Sequence, residues 1–339
     1  MRAAVFKHLR NNLGEFVSGG EIARALAISR TAVWKHVCAL RDEGYQIESR
    51  HRYGYRLSEA LPDLLIPEEI LAGLTTQFCG RCYHYYPSLI STNERAKELA
   101  QAGAPEGTTV LAEQQSGGRG RLGRNWYSPS GGLWFSVVLR PVLPQMRAPE
   151  ATFVAAVAGI EALNGESGGR SSEFGPDQHP VSAIGIKWPN DFVWHGKKLG
   201  GILTELSGEL DRINYLVIGI GLNVNLAPHD FPTLLRHQVS SLQEILGRPV
   251  ARGGLLRRYL AALEKWYLVW LEEGFGPVRE AWKKGNACLD RPLRVSTPEG
   301  ELSGRAVDID RDGALLLETG GDIRRIVTGD LLMGEDIHK

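Results

Sequence analysis

Residues 118–132 read GRGRLGRNWYSPSGG, and this stretch separates two fold classes. Its first six residues match G-x-G-x-x-G, which in a dinucleotide-binding domain follows a strand and opens a helix. Here Pro129, Gly131 and Gly132 come soon afterwards, and they cannot continue a helix. Three arginines would also crowd the pyrophosphate that such glycines bring close to the backbone. The stretch therefore argues against a doubly wound parallel sheet and predicts an exposed loop.

The composition of this loop is suited to binding anions. Its glycines let consecutive backbone N–H groups turn toward an anion, and the guanidinium groups of Arg119, Arg121 and Arg124 add bidentate contacts to oxygen. We expect a mobile loop that closes over a carboxylate and phosphates. A nucleic-acid patch remains the alternative, because Arg-Gly segments also follow phosphate backbones.

The sequence around the loop predicts a sheet. Short apolar stretches separated by Gly, Pro and Asn indicate strands over residues 108–113, 133–139, 184–187, 192–194, 201–206 and 213–225. One helix begins at Thr92 after the capping box that Ser91 opens, and another covers residues 151–163. Because strands and helices do not alternate as βαβ units, we predict a mixed α+β sheet domain.

The regions that follow the predicted strands differ in character. Residues 164–182 are rich in Gly, Ser and Pro, which indicates a flexible insertion. Residues 255–271 predict a long amphipathic helix whose aromatic side chains belong to the core rather than to a ligand site. Strands over 293–295, 305–309, 314–317 and 323–327 then predict a small C-terminal β barrel with a hairpin turn at Asp312-Gly313.

The N-terminal segment predicts a winged helix-turn-helix. A first helix carries Phe6, Leu9 and Leu13 at helical spacing; a second begins with the capping box of Ser18 and Glu21 and turns Ile22, Ala25 and Leu26 inward. Ser29 caps a third helix, with Val33, Val37 and Leu40 inward and Gly44 as its stop signal. Alternating residues from Tyr45 to Leu57 predict two strands around the tip Arg50-His51-Arg52.

This segment is also basic, since residues 1–60 carry ten Lys or Arg against six Asp or Glu. Side chains that can reach bases or phosphates are Arg30, Thr31, Trp34, Lys35, Arg50 and Arg52. The alternative is a solvated helical bundle with ordinary surface arginines. We place the domain boundary near Pro62, with Pro67 as the first residue of the next helix, and predict domains over 1–62, 63–285 and 286–339.

Composition excludes several classes of protein. The 339 residues carry 39 basic and 39 acidic side chains, so no global field indicates a partner. Neither a signal peptide nor a membrane span is evident, which leads us to expect a cytoplasmic protein. Four cysteines fit a reducing compartment. The Cys79-x-x-Cys82 pair is a weak signal for metal or redox chemistry, and two ordinary thiols are the alternative.

Lysine-bearing motifs follow two of the predicted strands. Residues 187–191 read KWPND and residues 197–201 read KKLGG, which places lysines and polar groups at the mouth of one sheet. Neither is a G-x-x-x-x-G-K-[ST] phosphate loop, and each is weak by itself. Their combination with other motifs is more specific.

Six motifs taken in order resemble those of the biotin protein ligases. They are Ser91-Thr92-Asn93, Glu113-Gln114-Gln115, GRGRLGR with Trp126, KWPND, KKLGGI, and IGIGLN at residues 218–223. The resemblance spans residues 83–334, and the basic winged helix resembles that of the bifunctional members, the biotin operon repressors. Departures are Leu122 in the arginine loop, Gly200 where the family often has alanine, and the insertion at 164–182.

The resemblance implies a fold: an α+β protein with a winged helix-turn-helix, a central mixed-sheet domain like the class II synthetases, and an SH3-like barrel. It also implies a reaction, in which the biotin carboxylate attacks the α-phosphorus of ATP to give biotinyl-5′-adenylate, which then modifies a lysine of a biotin carboxyl carrier protein. ATP and biotin are substrates, and Mg²⁺ accompanies ATP. No fixed protein metal site is expected.

The resemblance further assigns residues. Catalysis falls to Lys198, Arg121 and Asp191, with Lys198 bridging the biotin carboxylate and the α-phosphate and Asp191 orienting Lys198 or Mg²⁺. Biotin would be bound by Ser91, Thr92, Asn93, Gln115, Gly118, Arg119, Gly120, Arg121, Lys198, Gly219 and Gly221. ATP and the adenylate would be bound by Arg119, Arg121, Arg124, Trp126, Lys187, Asn190 and Asn223.

The implied partners are the carrier protein of acetyl-CoA carboxylase, operator DNA, and a second copy of the chain in an adenylate-promoted homodimer, with no membrane partner. Two other functions stay open at this point. One is a non-catalytic transcription factor that senses a small molecule, and the other is a lipoate ligase.

Overall fold

The computed structural model describes residues 1–42, 45–58, 63–167 and 184–332. The chain divides into two compact units, Met1–Leu64 and Leu65–Lys339. Gly44, the segment 59–62 with the predicted boundary at Pro62, and most of the predicted insertion lie outside the described residues.

The first unit is a winged helix-turn-helix. Its elements are α1 (Arg2–Arg10), β1 (Phe16–Val17), α2 (Gly19–Ala25), α3 (Arg30–Asp42), β2 (Ile47–Arg50) and β3 (Gly54–Leu57). The three strands pair antiparallel in the order β1-β3-β2. Ser18 Oγ accepts the N–H of Glu21 at 3.0 Å and Ser29 Oγ accepts the N–H of Ala32 at 3.1 Å, so both predicted helix caps are confirmed.

Two predictions for this unit were wrong: Leu13 does not belong to the first helix, and Ala25 does not face inward. Helix α1 ends at Arg10, so Leu13 leaves the helical register and is exposed. In α2 the buried residues are Ile22 and Ala23, whereas Ala25 is exposed and Leu26, at the C-cap, is half-buried. The seven-residue helix is too short for the predicted spacing to select a face.

The second unit contains a large mixed sheet. Its strands are β4 (Tyr83–Tyr86), β5 (Thr109–Ala112), β6 (Leu133–Leu139), β7 (Ile184–Lys187), β8 (Asp191–Trp194), β9 (Lys197–Glu209) and β10 (Arg212–Leu222). They lie in the order β4-β5-β6-β10-β9-β8-β7. The pair β4 and β5 is parallel and the other neighbouring pairs are antiparallel, which confirms the α+β class.

Helices of this unit cover the sheet and supply much of its core. They are α4 (Pro67–Ala72), α5 (Thr92–Gln101), α6 (Glu150–Asn164), α7 (Leu242–Leu246), α8 (Arg252–Glu273) and α9 (Phe275–Lys284). Tyr259, Tyr267 and Trp270 of α8 are buried in the core, as the sequence predicted. No helix within the described ranges is long and apolar enough to cross a membrane.

The chain then forms a five-stranded antiparallel sheet. Its strands are β11 (Pro292–Thr297), β12 (Gly300–Ile309), β13 (Leu315–Thr319), β14 (Asp322–Ile326) and β15 (Asp330–Leu332), in the order β14-β13-β12-β11-β15. The predicted turn at Asp312-Gly313 connects β12 and β13, and Gly313 has a φ of +84°. Strand β15 was not predicted, and it matters for the site described next.

Candidate active site

Lys198 lies at the start of β9 and is positioned by both its backbone and its side chain. Its N–H donates to the carbonyl of Gln238 at 2.7 Å, and its carbonyl accepts from the N–H of Ser240 at 3.0 Å. Its Nζ lies 2.8 Å from Asp191 Oδ1 and 5.1 Å from the ring centroid of Trp126. The Lys198 side chain is 37% exposed, so the ammonium can reach a bound anion without leaving these neighbours.

The arginine loop is a defined turn. Residues Arg121–Gly123 form a single 3-10 turn, and the N–H of Gly120 donates to the carbonyl of Arg124 at 2.7 Å. Leu122 at its tip is exposed and has a φ of +57°. No α-helix follows, which agrees with the rejection of a dinucleotide-binding motif.

The three arginines of this loop do not lie together. Arg121 donates to Asn190 Oδ1 at 3.2 Å and lies 3.8 Å from Asp330 Oδ1, while Arg124 forms a short ion pair with Asp330 Oδ2. Arg119 pairs with Glu94 of α5 at 2.8 Å. Two of the predicted phosphate ligands therefore contact β15, and the third contacts the helix that carries the Ser-Thr-Asn motif.

The last residue of the β7–β8 turn and the first residue of β8 bring two predicted catalytic cations to one place. Asn190 accepts from Arg121, and the next residue, Asp191, pairs with Lys198. Asn190 Nδ2 also donates to the carbonyl of Ile202 at 2.7 Å, which ties this turn to β9.

A second polar cluster surrounds the start of α5. Ser91, Thr92 and Asn93 are all buried, and Ser91 Oγ caps the helix by accepting the N–H of Glu94 at 3.5 Å. Gln115 Oε1 accepts from the N–H of Thr92 at 2.7 Å and lies 3.1 Å from its hydroxyl. Gln115 Nε2 donates to Ser128 Oγ at 2.8 Å.

Two glycines of β10 leave room for the side chains of neighbouring residues. A Cβ on Gly219 would lie 2.0 Å from Asn93 Oδ1, and one on Gly221 would lie 2.6 Å from Trp126 Nε1. Within the described part of the chain, that buried Nε1 has no hydrogen-bond partner. Gly118 is similarly constrained, because a Cβ there would lie 2.6 Å from the carbonyl oxygen of Trp126.

Asn223 and Lys187, both predicted to contact ATP, lie next to the residues that hold the site together. Asn223 is buried, and its Nδ2 donates to the carbonyls of Ser240 at 3.0 Å and Lys198 at 3.4 Å. The Asn223 amide thus secures the segment that holds Lys198, and its contact with ATP stays a prediction. Lys187 is the last residue of β7 and pairs with Asp191 in the strand register.

Several residues of the site were missed at the sequence level. Ser136 of β6 and Glu205 of β9 join the cluster at α5, Trp134 packs edge-on against Trp126 with 6.3 Å between centroids, and Asp330 holds the arginine loop. The hydrogen bond from Asn93 to Glu205 joins positions 112 apart, and that from Arg124 to Asp330 joins positions 206 apart. No spacing signal in one sequence marks partners so distant.

The cysteine pair, Cys79 and Cys82, lies just before β4. In the residues that the structure covers, no group of three His, Cys, Asp or Glu side chains could hold a metal ion. Burial, aided by the charges of Glu264 and Glu106, raises the pKa of Cys79 well above its ordinary value. This thiol therefore stays protonated at neutral pH.

A separate candidate interface lies on the first unit. Arg30, Thr31, Trp34 and Lys35 are exposed on one side of α3. Arg50 and Arg52 are exposed at the β2–β3 turn, where Arg50 stacks on Tyr53 at 5.1 Å and Arg52 has a φ of +70°. Helix α3 and the β2–β3 turn, which is the wing, thus each present cations to solvent.

Models of three known families match separate parts of the chain. A model of the Biotin/lipoate A/B protein ligase family matches residues 85–223. A model described as HTH domain matches residues 2–56, and one described as Biotin protein ligase C terminal domain matches residues 289–334. Together they define a class: a protein ligase of the biotin/lipoate type with an N-terminal helix-turn-helix domain.

Curated relatives narrow this class. The chain is 41% identical to the Bifunctional ligase/repressor BirA of Bacillus subtilis (strain 168) over 94% of both chains. It is 32% identical to the protein of the same name from Escherichia coli (strain K12), over 94% of this chain and 93% of that protein. A solved biotin protein ligase from Aquifex aeolicus, in complex with biotin and ATP, superposes with a TM-score of 0.61 at 28% identity, covering 74% of this chain and 98% of that one. The chain belongs to the bifunctional ligase/repressor family of biotin protein ligases.

Proposed function

We propose that the chain activates biotin with ATP and transfers it to a lysine of a carrier protein. The observation that carries this proposal is the meeting of Lys198 and Arg121 at the turn formed by Asn190 and Asp191. Two anions, a carboxylate and the α-phosphate, must approach each other closely in the first step, and preorganised cations lower the energy of that approach.

The first step joins two substrates without a protein nucleophile. A biotin carboxylate oxygen attacks the α-phosphorus of ATP, and the bond to the bridging oxygen breaks so that pyrophosphate leaves. Lys198 would bridge the carboxylate and the α-phosphate, while Arg121 and Arg124 would bind the remaining phosphate oxygens. The Trp126 ring would cover the adenine.

Mg²⁺ would arrive with ATP and neutralise phosphate charge. The Asp191 carboxylate would offer an oxygen ligand of the kind that Mg²⁺ prefers, although its Oδ1 is paired with Lys198. The contact with Lys198 therefore supports the orientation of this lysine as the role of Asp191.

In the second step the amine of a carrier lysine attacks the carbonyl carbon of the adenylate, an amide forms, and AMP leaves. A biotin carboxyl carrier protein of acetyl-CoA carboxylase is the proposed acceptor. A relative from Paracoccus denitrificans, 33% identical over 72% of this chain, is named Biotin--[acetyl-CoA-carboxylase] ligase. A reaction on this carrier would take place in the cytoplasm.

The same chain is proposed to repress genes of biotin supply by binding operator DNA through its first unit. The exposed Arg30, Thr31, Trp34 and Lys35 would enter a major groove, and Arg50 and Arg52 of the wing would contact the phosphates beside it. The helix-turn-helix match supports this second activity, and so does the name of the relatives, Bifunctional ligase/repressor.

Exchange of labelled pyrophosphate into ATP tests the ligase proposal. We expect exchange with biotin and none with lipoate. Lys198→Ala should slow the exchange by at least about 100-fold, because one preorganised charge contact in such a site is worth about 3 kcal/mol. Lys197→Ala is the matched control: it removes the neighbouring lysine, whose Nζ lies 3.5 Å from Glu244.

The outcomes separate the candidate functions. Exchange in the Lys198→Ala variant at the wild-type rate would refute the role of this lysine. No exchange in the wild type, with biotin still bound, would favour the small-molecule sensor, and exchange that requires lipoate would favour a lipoate ligase.

A further inference from the structure

A chain of hydrogen bonds links Glu205 to the predicted biotin contact Thr92. It runs from Glu205 through Asn93 and Ser136 to Thr92, and its members lie on β9, α5 and β6. Asn93 and Ser136 are buried, so each hydrogen must be assigned to a partner inside the protein.

The orientation of the Asn93 amide is the first fixed point. Its Nδ2 lies 2.8 Å from Glu205 Oε2 and 3.3 Å from the carbonyl oxygen of Leu203. An ionised carboxylate and a carbonyl can only accept, so the NH₂ group of Asn93 must face them. Burial alone would raise the pKa of Glu205, but hydrogen bonds from Lys97 and Asn93 and the charges of Lys97 and Arg119 outweigh it and lower the pKa. The carboxylate is therefore ionised at neutral pH.

This orientation determines what Ser136 can do. Asn93 Oδ1 faces Ser136 Oγ at 2.6 Å and can only accept, so the Ser136 hydroxyl donates to it. Ser136 Oγ also lies 2.8 Å from Thr92 Oγ1. Because Ser136 has already given up its one hydrogen, it can only accept from Thr92.

Among the described residues, the Thr92 hydroxyl thus has two hydrogen-bond acceptors and no donor beside it. It lies beside Ser136 Oγ and, at 3.1 Å, beside Gln115 Oε1, which accepts from the Thr92 N–H. At 2.8 Å the Ser136 and Thr92 oxygens need a hydrogen between them, so Thr92 donates to Ser136, and the lone pairs of Thr92 Oγ1 remain for a ligand. The hydrogen-bond chain also requires Gly219, because any Cβ at this position would collide with Asn93 Oδ1.

We propose that Glu205 is a specificity-determining positioning residue: acting through Asn93 and Ser136, it holds Thr92 as a hydrogen-bond acceptor for a ring N–H of a cyclic urea. This inference rests on the proposed binding of biotin at Thr92. It assigns a task to Glu205 and Ser136, two residues outside the ordered motifs.

Replacing the carboxylate by an amide tests the direction of the chain. In Glu205→Gln the charged acceptor is lost and the new NH₂ group can face Asn93, so the weaker contact with the Leu203 carbonyl, at 3.3 Å, remains to oppose rotation of the Asn93 amide. The rotated amide donates to Ser136, and Ser136 then donates to Thr92. We expect the dissociation constant for biotin, measured by titration calorimetry on the full chain, to rise about tenfold or more, since a buried donor would face a ligand N–H. The KM for ATP should change less than twofold.

A double-mutant cycle distinguishes this role from a merely structural one. Ser136→Ala cuts the chain in the middle, so Glu205→Gln should have little further effect on biotin affinity when Ser136 is already alanine. Additive effects of the two substitutions would overturn the proposal. Glu98→Gln is the matched control, because Glu98 lies on α5, the helix of Thr92 and Asn93, and pairs at the surface with Arg95.

The remaining outcomes are also decisive. Biotin affinity of Glu205→Gln equal to that of the wild type overturns the inference and leaves the proposed function intact, whereas a wild type that does not bind biotin overturns both. If Glu205→Gln fails to fold, as thermal unfolding would reveal, Ser136→Ala with Thr92→Val forms the cycle: non-additive losses of affinity support the chain and additive losses reject it.

Discussion

At the scale of single residues, the Lys198 ammonium is positioned by its neighbours and is still accessible to a ligand. An ion pair with one partly exposed partner contributes little to stability, so an incoming carboxylate can compete with Asp191 for the ammonium at small cost. The Trp126 ring limits where that ammonium can go. The lysine is thus held in place yet remains free to exchange one anion for another.

The tight contact between β10 and Trp126 gives the first prediction. In Gly221→Ala the new Cβ would lie 2.6 Å from Trp126 Nε1, so the indole must move from the position proposed to cover adenine. We expect the KM for ATP in pyrophosphate exchange to rise about tenfold, equivalent to about 1.4 kcal/mol of lost binding. Gly276→Ala in α9 is the control, because its Cβ would meet nothing within 4 Å. An unchanged KM in Gly221→Ala would contradict this role of Trp126.

At the scale of elements, α8 stabilises a distant loop through one carboxylate. Glu264 accepts hydrogen bonds from the N–H groups of Gln77, Phe78 and Cys79 at 2.7, 2.9 and 2.9 Å. We expect Glu264→Gln to lower the free energy of unfolding by about 2–3 kcal/mol, since hydrogen bonds to a charged acceptor are the strong ones and an amide presents one oxygen fewer. Urea denaturation measures this, with Glu272→Gln at the exposed end of the same helix as control. Equal midpoints for both variants would refute the prediction.

The turn between β12 and β13 predicts a pH dependence. Burial would raise the pKa of Asp310, but hydrogen bonds from Arg325 and from the N–H groups of Asp312 and Ala314 lower it below the ordinary value. Because the folded state has the lower pKa, this carboxylate contributes stability above the pKa of the unfolded chain and loses it as pH falls through the folded value. Asp310→Asn should therefore destabilise the protein at pH 7, and the difference from wild type should shrink on acidification. A difference in unfolding free energy that does not vary with pH would count against this assignment.

Elements with a strong local pattern were predicted well, and those defined by distant partners were not. The predicted spans of β6 and β7 match the structure, whereas residues 201–206 are only the middle of β9 and the predicted strand at 213–225 ends at Leu222. Long antiparallel pairing extends β9 past its apolar stretch, because the partner strand supplies hydrogen bonds whatever the side chains are. The same holds for the candidate site. Ordered motifs pointed to Lys198 and Gln115, whereas Ser136, Glu205 and Asp330 are brought to the site by folding and have no local sequence signal.

At the scale of the whole molecule, the division into two compact units predicts separable activities. A chain that begins at residue 65 keeps every contact described for Lys198, Thr92 and the arginine loop. We expect it to retain pyrophosphate exchange and to lose operator binding in a gel shift at fixed salt. Loss of exchange in a folded truncation would show that the first unit contributes to catalysis.

Association with DNA predicts a further whole-molecule property. One winged helix makes few phosphate contacts and binds weakly at physiological salt, so repression should use paired half-sites and two copies of the chain. We expect biotin with ATP to shift the protein toward a dimer in sedimentation velocity and to raise its affinity for an inverted repeat. A monomer with unaltered DNA affinity under both conditions would remove the repressor function and leave the ligase.

The stacking of Lys198 over Trp126, with Trp134 edge-on beside it, has an optical consequence. Indole emission responds to a nearby charge, and here that charge belongs to the group that the reaction would engage. Any ligand that draws the ammonium away from the ring alters the fluorescence of Trp126, and the difference from a Trp126→Phe variant isolates this signal from the other seven tryptophans. The protein therefore carries its own spectroscopic reporter at the point where the two substrates are proposed to meet.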